Sequence, residues 1–100
     1  MSPGNVKTCE VTILDDTTNT TVAKLPWRKY PGVVIQGDAL KILHDEVAEA
    51  ITALREQDSQ SANEVLGHIS DQIADLLSRY EVALSAAGLD LPYSSKEPRK

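Results

Sequence analysis

Val33-Val34-Ile35-Gln36-Gly37-Asp38-Ala39-Leu40-Lys41-Ile42-Leu43 contains the single point at which the hydrophobic period of this 100-residue chain changes, from about two to about 3.6. Before it the pattern is that of strands; after it, that of helices. Cys9-Glu10-Val11-Thr12-Ile13-Leu14 alternates and is rich in β-branched residues, which predicts a strand over 9–14 with Cys9, Val11 and Ile13 on one face. Asp15-Asp16-Thr17-Thr18-Asn19-Thr20 is a cluster of side chains that hydrogen-bond their own backbone, the chemistry of a turn. A second strand is expected over 21–25, ended by Pro26. Tyr30-Pro31-Gly32 combines a preset φ with a glycine free to adopt positive φ, the pairing of a type II turn. The third strand, 33–36, opens with three consecutive apolar residues, which predicts a strand covered on both faces or central in a small sheet.

Gly37 breaks that strand and Asp38 is placed to cap a helix. Leu40, Leu43, Val47, Ala50, Ile51 and Leu54 recur at spacings of three and four, predicting a first helix over 39–56 with one apolar stripe. Ser61-Ala62-Asn63-Glu64 has the form of a capping box ahead of Val65-Leu66. Leu66, Ile69, Ile73, Leu76, Leu77, Tyr80, Leu84 and Ala87 carry a second stripe over 62–87, and Gly88 is positioned to terminate it. Two helices joined by a short polar loop run antiparallel, and neither element type buries its apolar side alone. The expected fold is therefore α+β: a three-stranded antiparallel sheet followed by an antiparallel two-helix hairpin packed on it. Residues 9–93 form the single domain, with flexible ends at 1–8 and 94–100. The second helix is longer than such a sheet can cover, leaving an overhang available for binding, including to another copy.

Size and charge exclude several classes of function. A chain of this length with 41% apolar residues fills one modest core. Fifteen acidic against ten basic side chains leave a net charge of -5 and a pI near 4.8, without the basic footprint of a nucleic-acid binder. No apolar run approaches a membrane span, and the first residues lack the pattern of a secretory signal. With Cys9 as its one cysteine, the chain is expected to be cytoplasmic.

Chemistry-bearing constellations are sparse. His44 and His68 are the only histidines, and neither lies at metal-ligand spacing from cysteine or carboxylate. Their neighbours, Asp45-Glu46 for His44 and Asp71 and Gln72 for His68, fit solvated helix-face contacts. No catalytic residue, metal or cofactor is assigned, and a small enzyme using His44 or His68 ranks behind two binding functions.

Charge, by contrast, is segregated. From Asp38 to Asp90 eleven carboxylates face three cationic side chains, a net of -8, while the strand half is close to neutral. Such a helical half is either a solvated face or a surface that steers a basic partner. Trp27-Arg28-Lys29-Tyr30 places the only tryptophan in a loop between two prolines. Trp, Tyr and Arg are the residues enriched at interface hot spots; the alternative is that Trp27 folds back onto the core.

Leu25-Pro26-Trp27-Arg28-Lys29-Tyr30-Pro31-Gly32-Val33-Val34-Ile35-Gln36-Gly37-Asp38 resembles a family of small uncharacterised bacterial proteins. Its members carry a Leu-Pro-x-Arg-x-x-Pro-Gly-Val-Val-Ile-Gln-Gly-Asp stretch followed by a helical region. That resemblance implies no catalytic residues. In size and acidity the chain also resembles the immunity proteins of contact-dependent and polymorphic toxin systems. This second resemblance implies a non-catalytic protein that covers the basic cleft of a toxin domain such as a nuclease. Asp45, Glu46, Glu49, Glu56, Asp71 and Asp75 would then meet toxin cations, and Trp27, Arg28 and Tyr30 would anchor the rim. The alternative is a self-associating structural or regulatory protein with the second helix as its dimer seam.

Overall fold

The computed structural model describes residues 6–17 and 20–94. Most of the two segments expected to fray lies outside these residues, as do Thr18 and Asn19 of the expected first turn. Strands β1 (Thr12–Asp15), β2 (Thr21–Lys24) and β3 (Gly32–Val34) precede helices α1 (Gly37–Arg55) and α2 (Ser59–Ala86). The sheet order is β1-β2-β3, antiparallel throughout, so β2 is the central strand. This is the α+β architecture predicted from the period change.

Strand facing departs from the simple alternation. Thr12 pairs with Lys24 and Ile13 with Ala23, but Asp15 pairs with Val22, so Leu14 is an extra residue in the ladder. A bulge re-aims a side chain, and Leu14 packs on the core while Val11 and Ile13 are exposed. Cys9 precedes the strand and is exposed. The inward face expected for Cys9, Val11 and Ile13 is thus corrected to Leu14. β3 is an edge strand, not a doubly covered one: Val33 packs on the core while Val34 and Ile35 are exposed. The β2–β3 turn lies earlier than expected, closed by the Arg28 amide donating to the Leu25 carbonyl at 3.2 Å. Gly32 pairs with Ala23 and does not have positive φ, which removes the expected type II turn.

Both helix starts also shift. α1 begins at Gly37, two residues before the expected start, with Gln36 as its N-cap. Asp38 lies inside the first turn, where its carboxylate accepts the Ala39 amide at 2.8 Å and meets the positive end of the helix dipole. α2 begins at Ser59 and is capped by Asp58, whose carboxylate accepts the Ser61 amide at 3.1 Å. Asp58 takes the role expected of Ser61 because the helix starts one turn earlier, so that Ser61 lies inside the first turn and its own amide is one of those to be capped. Ser61 in turn holds the Asp58 carboxyl below its ordinary value. Both helices end in Schellman motifs. At α2 the Leu89 amide donates to the Leu84 carbonyl at 2.9 Å and the Gly88 amide to that of Ser85 at 3.1 Å, with Gly88 at φ 71° as expected. At α1 Asp58 donates to Ala53 at 2.8 Å and Gln57 to Leu54 at 3.0 Å. There a non-glycine, Gln57, occupies the left-handed position at φ 60°.

The core has two zones. Val22, Tyr80, Ala83 and Leu84 form a buried cluster against which Leu14, Val33 and Leu91 pack, joining the sheet to the last turns of α2. Tyr80 is fixed there by its hydroxyl, which donates to the buried Pro31 carbonyl at 2.7 Å, and by stacking on Tyr93 at 6.3 Å between ring centroids. Burial raises the Tyr80 phenol above its ordinary pKa, and burial together with a hydrogen bond to Glu81 pushes Tyr93 up to about 12. Between the helices the buried residues are mostly small: Ala50 and Ala53 on α1, Ala62 and Ile69 on α2. At about 1.5 Å per residue the 28 residues of α2 span roughly 42 Å. The sheet packs on the last turns of α2, and the length of α2 that it leaves uncovered is paired with α1.

Candidate functional site

The helical hairpin has two faces of opposite chemistry. The side of α1 turned to α2 carries Leu43, Glu46, Ala50 and Ala53, and the matching side of α2 carries Ala62, Val65, Ile69, Gln72 and Leu76, all buried or half-buried. Leu40, Val47, Ile51 and Leu54 lie about a quarter turn away on α1 at 100° per residue. Leu66, Ile73 and Leu77 lie about a quarter turn away in the same rotational sense on α2. Because the helices are antiparallel, equal senses of rotation bring both stripes to one side of the hairpin. These seven side chains are 40% to 55% exposed. Only part of each stripe expected to face the core does so; the remainder forms an open apolar face.

The opposite side is acidic. Rotated the other way from the helix-helix contact lie Asp38, Asp45 and Glu49 on α1, Glu56 at its C-cap, and Glu64, Asp71 and Asp75 on α2, all exposed. Asp45, Glu49, Glu56, Asp71 and Asp75, singled out from the sequence, thus share one face although they belong to two helices. Asp45 is bonded by Lys41 at 2.6 Å and by His44 at 3.1 Å, in that order of effect, and its pKa is lowered. Asp75 pairs with Arg79 at 2.9 Å. Among the described residues Glu49, Glu56 and Asp71 form no ion pair.

Glu46 has a different situation. It takes the His68 Nδ1 at 2.6 Å and the Gln72 amide at 2.9 Å, both across the helix pair, and only 18% of its side chain is exposed. The Gln72 hydrogen bond first, then that of His68, holds its carboxyl below the ordinary range. Glu46 and His68 therefore clasp the acidic edge of the helix contact. His68 bonds across 22 residues of sequence, beyond the contacts within its own helix that its spacing predicts. The signal for this clasp lay in the pattern: Glu46 interrupts the inward line from Leu43 to Ala50, and Gln72 the line from Ile69 to Leu76.

At the root of the acidic face an open cleft of 850 Å³ separates the sheet from the hairpin. Asp38, Asp75, Gln36, Gln72, Thr20 and Thr21 supply its polar lining, and Leu43, Leu76, Val34 and Ile35 its apolar lining. A side chain with a cationic head on an aliphatic stem matches that combination. The β2–β3 loop is a separate feature. Trp27 is 63% exposed and does not close the core, and Arg28 and Tyr30 are exposed with it. The Lys29 ammonium lies 5.4 Å from the Tyr30 ring centroid. A smaller concavity of 510 Å³ lies beside this loop, lined by Leu25, Arg28, Tyr30 and Val33 among others.

Among the described residues no group of three His, Cys, Asp or Glu is arranged to hold a metal ion. Among the same residues no helix is long and apolar enough to cross a membrane. What the geometry offers is surface chemistry: one apolar face, one acidic face with a cleft, and one aromatic loop.

No curated protein and no solved structure matches the chain. Residues 6–93 match the profile of a family described as "Family of unknown function (DUF6959)". With most of its length matched, including both helices, all three strands and the acidic cleft, the chain belongs to the DUF6959 family.

Proposed function

We propose that this protein is a non-catalytic binding protein whose acidic hairpin face covers a basic site on a protein partner in the cytoplasm. Its partner would be a toxin domain such as a nuclease, and its role that of an immunity protein. The observation that carries this reading is the segregation of Asp38, Asp45, Glu49, Glu56, Glu64, Asp71 and Asp75 onto one side of two helices, with a cleft opening at its base. A concentrated field of one sign steers a partner of the other sign and fixes its orientation. A basic active-site cleft built for a phosphate backbone presents the complementary array. Glu46 serves this surface indirectly, holding the two helices in register through His68 and Gln72. Trp27, Arg28 and Tyr30 would supply a second, less electrostatic contact.

The test is co-expression with the C-terminal domain of a large secreted protein encoded by an adjacent gene, followed by binding kinetics at low and high salt. Reversal of charge in Glu49→Lys and Asp71→Lys is expected to slow association roughly tenfold or more and to flatten its salt dependence. Association rates unchanged in both variants would overturn the electrostatic docking. The self-associating alternative draws on the other face of the hairpin.

A further inference from the structure

The chain exposes 8186 Å², whereas a compact monomer of 10.9 kDa is expected to expose about 5600 Å². Its radius of gyration is 17.1 Å against about 13 Å for a compact domain of this length. Part of that exposed surface is apolar and lies on the hairpin. Seven leucine, isoleucine and valine side chains from both helices form one continuous face there.

We propose that a second copy of this chain closes that face, so that two hairpins meet about a two-fold axis as a four-helix bundle. Three observations select this occupant. The first is extent: the face runs from Leu40 to Leu54 on α1 and from Leu66 to Leu77 on α2, so a facing copy meets it over about three to four turns of each helix. The second is charge. Two copies each carrying -5 repel unless their carboxylates are kept out of the contact. Along residues 40–77 no carboxylate lies on either stripe: Glu46 is turned into the helix contact, and the other helical acids occupy the opposite side. A basic partner would find nothing to pair with on the apolar face, whereas another copy finds its own complement, as an isologous contact requires. The third is shape. Ala48, Ser70 and Ala74 flank the stripes and are small, exposed and uncharged, which lets helices approach to the 8–10 Å spacing of bundle packing. The seam is therefore shared by α1 and α2 and is not a property of the second helix alone. Both acidic faces remain outward in such a dimer.

Sedimentation equilibrium of the full chain tests this directly. The expected mass is twice 10.9 kDa, falling to the single-chain mass in Ile51→Glu and Ile73→Glu and remaining double in Val82→Glu. Val82 is exposed but lies on the side of α2 away from the stripe. A wild-type monomer at about 100 μM overturns the proposal, and would leave the face to a different partner. So does a dimer that persists in both stripe variants. Should those variants fail to fold, the wild-type thermal midpoint decides. A rise over a hundredfold range of protein concentration supports dimerisation, and a midpoint independent of concentration refutes it.

Discussion

Leu84→Ala probes the attachment of the sheet to α2. Leu84 is 0% exposed and belongs to the cluster that attaches the sheet to α2, together with Val22, Tyr80 and Ala83. Three carbons are deleted from a fully desolvated site, and at about 0.8 kcal/mol per buried methylene the transfer loss alone is near 2.4 kcal/mol. A cavity contribution adds to this, and buried leucine-to-alanine changes span about 2–5 kcal/mol. Leu14, Val33 and Leu91 border the site while still half-buried, so they can relax inward, which places the expected loss at about 3 kcal/mol. A domain of this length has about 5–15 kcal/mol in total. Urea unfolding followed by far-ultraviolet circular dichroism reads the change, with tryptophan emission as a second probe in the β2–β3 loop. The midpoint should fall substantially with the slope unchanged. A loss below about 1 kcal/mol would refute the assignment of this cluster as the sheet's anchor.

Two further outcomes follow from the helix contacts. Gln57→Gly removes a side chain from the left-handed position that ends α1 and should stabilise the protein by about 0.5–1 kcal/mol, read as a raised urea midpoint; a fall would show that the turn depends on the Gln57 side chain. Glu46→Gln tests the clasp through pH. The Glu46 carboxyl lies below its ordinary 4.5 in the folded state. Its stabilisation is therefore complete above that value and is lost as pH falls through the lowered one. The stability difference between wild type and Glu46→Gln should shrink as pH falls from above the ordinary 4.5 through the lowered folded-state value; a difference constant across that fall would remove the carboxylate's role.

The period change at Gly37 and the Gly88 terminus were legible because both are local: alternation, helical spacing and a glycine needing positive φ depend on near neighbours alone. Helix starts were legible only to within a turn, since Asp58 and Ser61 are both competent caps and the difference is settled by which amides remain free. The facing of β1 was misread because the bulge at Leu14 breaks strict alternation, and nothing in Cys9 to Leu14 signals the extra residue. The acidic positions were legible as a group by composition, but not as a face.

Composition, element order and the acidity of the helical half follow from the chain alone, because hydrophobic period, capping chemistry and charge are properties of short segments. The rotation of α1 against α2 follows only from the folded hairpin. The inward alanines Ala50, Ala53 and Ala62, with Ile69 and the Glu46–His68 clasp, turn part of each apolar stripe outward and collect the carboxylates on the other side. Helix phase is selected by packing between segments distant in sequence, where side-chain volume on one helix chooses what the other must expose. One stripe per helix was legible in the sequence; its division into a buried half and an open face was a decision of the tertiary structure.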